Sequence, residues 1–315
     1  MRRRTLFALP ALLLAPRLAR AQAAPLVVAS FSILGDMVQQ LAGDRVRLRT
    51  LAGPNVDAHS FSPRPSDAQA LREAALVVRN GLGFDTWMDR MIRAAGYRGA
   101  VATATQGITP RQMEGHAHGH DHGGAGRRQN HSVAPRLVPD PHAWQDLRFG
   151  IAYVRNVAAA LAAAVPAAAA EIQTREAAYV TRLQSLDARV RADIAAVPEA
   201  RRKVVTSHDA FGYFGAAYGV TFLAPQGIST EAEPSAADVA RLIRQIRAEG
   251  VSAVFLENMG NPATLERLAR EAGVTVRGRL YADALSEPSG PAPGYEAMFR
   301  HNVGLLVPAM RGDAA

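Results

Sequence analysis

Nine histidines are the residues best equipped for chemistry in this chain, because it contains no cysteine. His116, His118, His120, His122 and His131 crowd into one polar segment, while His59, His142, His208 and His301 stand apart. Neutral imidazole is a borderline donor. It suits zinc and its transition-metal neighbours better than magnesium or calcium, which prefer oxygen. Taken singly, each separate histidine reads as a surface or helix-capping residue. Taken together, three share a placement. His59 and His208 sit just past strand-like runs, in Asp57-Ala58-His59 and Thr206-Ser207-His208-Asp209, and His142 lies in Pro139-Asp140-Pro141-His142-Ala143-Trp144, before a run of helix formers. Asp283, in Tyr281-Ala282-Asp283-Ala284, also follows a strand-like run and is the natural carboxylate to join them. Three imidazoles and one carboxylate make a reasonable four-ligand shell for Zn²⁺. Their spacings of 83, 66 and 75 residues exclude a zinc finger or a helical His-Glu-x-x-His site. His301 has no partner pattern and reads as structural. Glu231, Glu233 and Glu257 would be general bases in a zinc hydrolase, or else helix caps and ion-pair partners. Gly81-Leu82-Gly83 is no dinucleotide fingerprint, and neither a Walker loop nor a Gly-x-Ser-x-Gly motif is present.

Two segments of alternating strand and helix patterns must position these groups. In the first, strands are expected at Leu26–Ser30, Val46–Leu51, Ala75–Val78 and Ala100–Ala104, with helices at Ile33–Leu41, Ser66–Ala74 and Phe84–Ala95. The second repeats the plan. Its strands fall at Lys203–Thr206, Val220–Leu223, Val251–Leu256 and Val274–Leu280, and its helices at Ala210–Tyr218, Ser235–Glu249, Pro262–Ala272 and Gly294–Met310. Such alternation implies an α/β fold with a parallel sheet in each segment and helices on the sheet faces. Ligand groups then gather in loops at the carboxyl ends of the strands. Between the two segments, Phe149–Val197 is nearly all helix formers, interrupted at Pro166, so a shorter helix precedes a long one over Ala167–Ala196. Leu183, Leu186, Val190 and Ile194 give the long helix an apolar stripe, and its composition is that of a stiff connector. The expected division is residues 1–23 as a leader, 24–148 as a first lobe, 149–199 as connecting helices and 200–315 as a second lobe. Gln112–Pro135 holds five histidines and almost no apolar side chains, so it reads as a disordered loop whose histidines are weak auxiliary metal sites.

The 315 residues include 36 Lys+Arg and 28 Asp+Glu, a formal charge of +8. Much of the excess belongs to the leader. Arg2-Arg3-Arg4, the apolar run Leu6–Ala15 and the Ala21-Gln22-Ala23 pattern form a cleavable export signal, too short to span a bilayer as a helix. Its twin arginines also fit the twin-arginine route. Removing residues 1–23 takes away five arginines and no acid, leaving 31 basic against 28 acidic residues. No basic stripe with interleaved aromatics then remains to bind nucleic acid. The lack of cysteine excludes disulfides, thiolate metal sites and lipid on an N-terminal cysteine.

An ordered set of motifs resembles one family. Phe31-Ser32-Ile33-Leu34-Gly35-Asp36, His59 in its loop, Asp140-Pro141-His142-Ala143-Trp144, Ser207-His208-Asp209-Ala210-Phe211-Gly212-Tyr213-Phe214, Glu233-Pro234-Ser235 and Tyr281-Ala282-Asp283-Ala284-Leu285-Ser286 are similar to those of the zinc- and manganese-binding substrate-binding proteins of ABC transporters, the ZnuA-like solute-binding family. The resemblance implies two α/β lobes joined by a long rigid helix, with one metal between them held by His59, His142, His208 and Asp283. Histidine at the third position and the His-rich loop resemble the zinc branch, whereas manganese binders often carry glutamate there. His59 is followed by Ser60-Phe61-Ser62, where Tyr-Glu is common in relatives. The resemblance thus implies a monomeric periplasmic Zn²⁺ carrier, not an enzyme, that serves an ABC permease of the inner membrane, and the lack of cysteine makes the expected protein not a lipoprotein. A manganese or iron carrier of the same fold, an exported zinc hydrolase with three ligands and a water, and an interaction protein with incidental histidines are the competing readings.

Overall fold

The computed structural model describes residues 23–115, 136–227, 230, 235–251 and 253–313. The leader residues 1–22 and His116, His118, His120, His122 and His131 lie outside the described residues, as do Glu231, Glu233 and Pro234. The first lobe runs β1 (Leu26–Phe31), α1 (Ser32–Ala42), β2 (Arg47–Ala52), α2 (Pro65–Glu73), β3 (Leu76–Arg79), α3 (Thr86–Ala94) and β4 (Ala100–Thr103). A hairpin follows, of β5 (Gln112–Gly115) and β6 (Arg136–Pro139), then α4 (Leu147–Ala164) and α5 (Ala169–Ala195). The second lobe is β7 (Lys203–Val205), α6 (Gly212–Tyr218), β8 (Thr221–Leu223), α7 (Ala236–Glu249), β9 (Ala253–Glu257), α8 (Pro262–Ala272), β10 (Thr275–Leu280) and α9 (Tyr295–Arg311).

Each lobe holds a four-stranded parallel sheet, in the orders β2-β1-β3-β4 and β10-β9-β7-β8. The strand β1 reads LVVASF and is buried throughout, as a central parallel strand covered on both faces must be. In both sheets the strand order reverses beside the first strand of the lobe, between β1 and β3 and between β7 and β9. Such switch points open a crevice at the carboxyl ends of the strands.

Local signals end the helices where expected. Val165 breaks out of helical geometry before Pro166, and a single tight turn over Pro166–Ala168 leads into α5. The Ser235 hydroxyl accepts the Asp238 N–H at the start of α7, and Asn261 accepts the Ala263 N–H ahead of Pro262 in α8. Among the described helices α4 alone is long and apolar enough to cross a membrane by composition. Its Leu147, Ile151, Tyr153, Val154, Val157 and Leu161 are buried in the core, where the helix lies against α1, β3 and β4.

The strut α5 has 27 residues, about 40 Å at ~1.5 Å per residue. It packs on α1 of the first lobe and on α6 and α9 of the second. Its buried stripe is Ile172, Tyr179, Leu183, Leu186, Val190 and Ile194, spaced mostly by three and four residues as one helix face requires. These side chains belong to a single apolar cluster that runs from Phe31 and Trp144 to Phe214 and Phe299. Smaller clusters lie under α2 and α3 in one lobe and under α7 and α8 in the other. Leu183 is fully buried, so Leu183→Ala would leave a void between the lobes and cost about 2–5 kcal/mol.

One local expectation is corrected. Gln112–Gly115, read as the start of a disordered loop, forms β5, which pairs antiparallel with β6 from Gln112↔Pro139 to Gly115↔Arg136. The partner strand lies beyond the polar segment, so composition within that segment carried no sign of the pairing.

Candidate metal centre

His59 is carried by the loop after β2. The Asp57 carboxylate shapes that loop, accepting the His59 N–H through Oδ1 at 2.8 Å and the Ser60 and Thr230 hydroxyls through Oδ2 at 3.0 and 2.5 Å. The Trp87 indole holds the Ala58 carbonyl at 2.7 Å, and the edge of Phe84 supports the His59 ring at 4.6 Å.

His142 follows β6 and is fully buried. The Asp140 Oδ1 accepts its backbone N–H at 3.0 Å and lies 2.8 Å from Nδ1. Asn80, at the end of β3, donates to the Pro141 carbonyl at 3.1 Å and is itself held by the Tyr153 hydroxyl. These bonds fix the ring so that Nε2 faces the cleft.

His208 follows β7. Glu257, the last residue of β9, accepts the N–H groups of Ser207 and His208 through Oε1, and its Oε2 lies 2.5 Å from His208 Nδ1. Asp283 follows β10, and the carbonyl before it, on Ala282, accepts the Trp144 indole N–H and the Gln145 amide, both at 2.9 Å. Those donors come from the other lobe. Further bonds cross the cleft from Asn55 N–H to the Leu285 carbonyl, 2.9 Å, and from the Asn258 amide to the Asn55 side chain, 3.1 Å.

The four residues converge. His59 Nε2 is 3.3 Å from His142 Nε2 and 3.2 Å from Asp283 Oδ2, and His208 Nε2 is 3.1 Å from the same oxygen. His142 Nε2 is 3.6 Å from Asp283 Oδ1, an oxygen that is buried with no hydrogen-bond partner. One ligand atom from each residue lies within 4.8 Å of all the others. Bonds of ~2.0–2.1 Å to a tetrahedral Zn²⁺ place neighbouring donors about 3.3 Å apart, within the range of the separations found here. His301 plays no part, since its Nε2 meets the Arg279 carbonyl at 2.9 Å.

Charge is concentrated without a cation. Burial disfavours a charged His142, but Asp283 and Asp140 outweigh it and push the imidazole up to about 9. Burial also opposes charge on His208, and Glu257 and Asp283 overcome it and hold the ring well above its ordinary value. Burial alone would raise Asp283, yet His142 and His208 keep it well below the usual carboxylate range. The Asp283 carboxylate thus raises the basicity of both imidazoles, and they in turn hold it in its charged form.

Two supporting carboxylates went unassigned in the sequence, and a third was given no partner. Asp57 and Asp140 each stand two residues before a histidine, in Asp57-Ala58-His59 and Asp140-Pro141-His142, and each accepts the N–H of that histidine. That repeated Asp-x-His spacing was readable. Glu257, read as a possible base, cap or ion-pair partner, orients His208 from 49 residues away, and only the adjacency of β7 and β9 brings it there.

Residues 27–309 match the family model described as the zinc-uptake complex component A, periplasmic. The chain is 32% identical over 303 residues to the zinc-binding protein TroA of Treponema pallidum, covering 93% of this chain and 91% of that one. The solved structure of the same periplasmic zinc-binding protein superposes with a TM-score of 0.79 at 30% identity, over 91% of this chain and 99% of that one. The manganese-binding lipoprotein MntA of Bacillus subtilis is 29% identical, with 90% of this chain and 89% of its own length covered. The iron ABC transporter lipoprotein MtsA of Streptococcus pyogenes is 27% identical, with 88% and 86% covered. These names correct the expected localisation. Two of these relatives, MntA and MtsA, are named lipoproteins, so the expectation of an unlipidated protein does not stand; the absence of cysteine remains a fact of the sequence.

Proposed function

Because this chain belongs to the family of periplasmic zinc-uptake components, we propose that it captures one Zn²⁺ between its lobes and hands it to the permease of an ABC importer. The donor spacing carries the reading. Four of the separations among His59, His142, His208 and Asp283, from 3.1 to 3.6 Å, are close to those that a four-coordinate zinc ion requires, which supports the reading. His59 and His142 come from the first lobe, and His208 and Asp283 from the second, so the cation itself fastens the two together.

Asp140 and Glu257 each bind an Nδ1, which sets the tautomer and leaves Nε2 free for the metal. Asp283 supplies the negative charge. Capture expels the protons from the rings, and protons return as the ion leaves. Four protein ligands leave no position for a reactive water, which is the arrangement of a carrier and not of a hydrolase.

Manganese is the second reading, favoured by one observation. Both oxygens of Asp283 face histidine nitrogens, Oδ2 towards His59 and His208 and Oδ1 towards His142. A carboxylate binding through both oxygens raises the coordination number and the oxygen share, which suits Mn²⁺. Competitive titration of stripped protein with Zn²⁺, Mn²⁺ and Fe²⁺, read by calorimetry and elemental analysis, decides between them. One tightly held zinc per chain is expected. A site that prefers Mn²⁺ under competition, or none at all, overturns the zinc assignment.

A further inference from the structure

Tyr213 occupies a place that a backbone hydrogen bond would normally hold. The ladder of the β5–β6 hairpin pairs Gln112 with Pro139 at its inner end. One step further in, the Asp140 N–H donates to the Arg111 carbonyl at 2.9 Å. Paired residues of this kind exchange two bonds. Here the return bond is relayed. The Tyr213 hydroxyl accepts the Arg111 N–H at 3.0 Å and donates to the Asp140 carbonyl at 3.1 Å.

The tyrosine comes from the opposite lobe, on α6, five residues after His208. Its ring is buried, with the edge of Phe149 at 5.6 Å and the Arg111 guanidinium over it at 5.7 Å. Arg111 also donates to the Gly212 carbonyl at 2.5 Å. A Cβ on Gly212 would lie 2.9 Å from Asp140 Oδ2, so glycine is what lets α6 rest on that carboxylate. The other oxygen of Asp140 holds both the N–H and the Nδ1 of His142. An unbroken chain of contacts thus runs from α6 to the His142 ring.

We propose that Tyr213 is a positioning residue for metal retention: by standing in the inner rung of the hairpin it fixes Asp140, which aims His142 at the cation. Without the hydroxyl, the Arg111 N–H and the Asp140 carbonyl are free to close on each other, drawing the strand ends together and moving Asp140 off the imidazole. Withdrawal of α6 has the same effect, so undocking this helix is the step that loosens the ligand set. The inference rests on His142 being a ligand of the transported ion.

The test is zinc dissociation into excess chelator by stopped flow for wild type, Tyr213→Phe, Asp140→Asn and the double variant, beside the visible spectrum of each Co²⁺ form. Tyr213→Phe keeps the ring and is expected to speed release about tenfold or more, as loss of an outer-shell partner does, and to shift the Co²⁺ bands. The double variant should release no faster than Asp140→Asn alone, because both changes act through one carboxylate. An unchanged rate in Tyr213→Phe, or effects that multiply in the double variant, overturns the proposal. Should Tyr213→Phe fail to fold, Gly212→Ala displaces Asp140 from the other side and must also speed release. Failure of the wild type to retain zinc would instead overturn the functional reading.

Discussion

Raising the pH from 7 to 8 should tighten zinc binding far more than free histidine would suggest. Ordinary imidazole titrates near ~6.5 and is mostly neutral at pH 7. In the metal-free site, however, His142 titrates at about 9 and His208 well above its ordinary value. Both must lose a proton before Nε2 can bind a cation. Each proton released is worth about 1.4 kcal/mol per pH unit. Two protons therefore change the affinity about 100-fold per pH unit, or ~2.7 kcal/mol. Stability of the metal-free protein moves the other way. A histidine raised on folding stabilises fully below its unfolded value near 6.5 and loses that contribution as pH passes its folded value, about 9 for His142. Asp283, lowered on folding, contributes above the ordinary carboxylate range and changes only as pH falls through its lower folded value. The melting temperature of metal-free protein should thus fall between pH 7 and 9 while the zinc-induced increase grows. Calorimetry in two buffers of different ionisation heat counts the protons directly. No proton release and an equal zinc-induced increase at pH 7 and 8 would refute the reasoning.

Single substitutions sort the histidines. His59→Ala, His142→Ala and His208→Ala should each weaken zinc by orders of magnitude in competition titrations, while His301→Ala, whose Nε2 meets a backbone carbonyl, should not. Asp140→Asn and Glu257→Gln leave all four converging residues in place and should cost about 10–100-fold in affinity; an unchanged affinity in both would deny these carboxylates their orienting role. Removing the metal should change the radius of gyration by about 1 Å or less by small-angle scattering, since α5 fixes the lobes and permits only shear-type motion. A change of several ångströms would make the strut a hinge.

The elements were legible because their signals are local. Leu26–Phe31 is too apolar and too short for anything but a strand buried on both faces, Pro166 must break a helix, and Ser235 and Pro262 mark starts that the structure keeps. The four converging residues were legible from their loops, three just past strand ends and His142 ahead of the connecting helices. What stayed hidden depends on pairing across distance. Glu257 meets His208 only because β9 lies next to β7. The strand β5 exists only because Arg136–Pro139 returns to it. Localisation was read from a cleavage pattern and a missing cysteine, and neither carries information about how relatives are retained at a membrane.

The apolar cluster that joins Phe31 to Phe299 through α5 also governs how the chain comes apart. Two lobes with separate cores would melt in two steps and could be cut into viable halves. Here a fragment ending before α5 would expose the inner faces of α1 and α4 to water, and one beginning after it would do the same to α6 and α9. We therefore expect one calorimetric transition whose van't Hoff and calorimetric enthalpies agree, and hydrogen exchange in which the slowest amides of β1 and β9 open together. On that expectation a newly made chain passes through no stage in which a finished lobe displays two of the four converging residues alone; the complete set arises in the same event that closes the core.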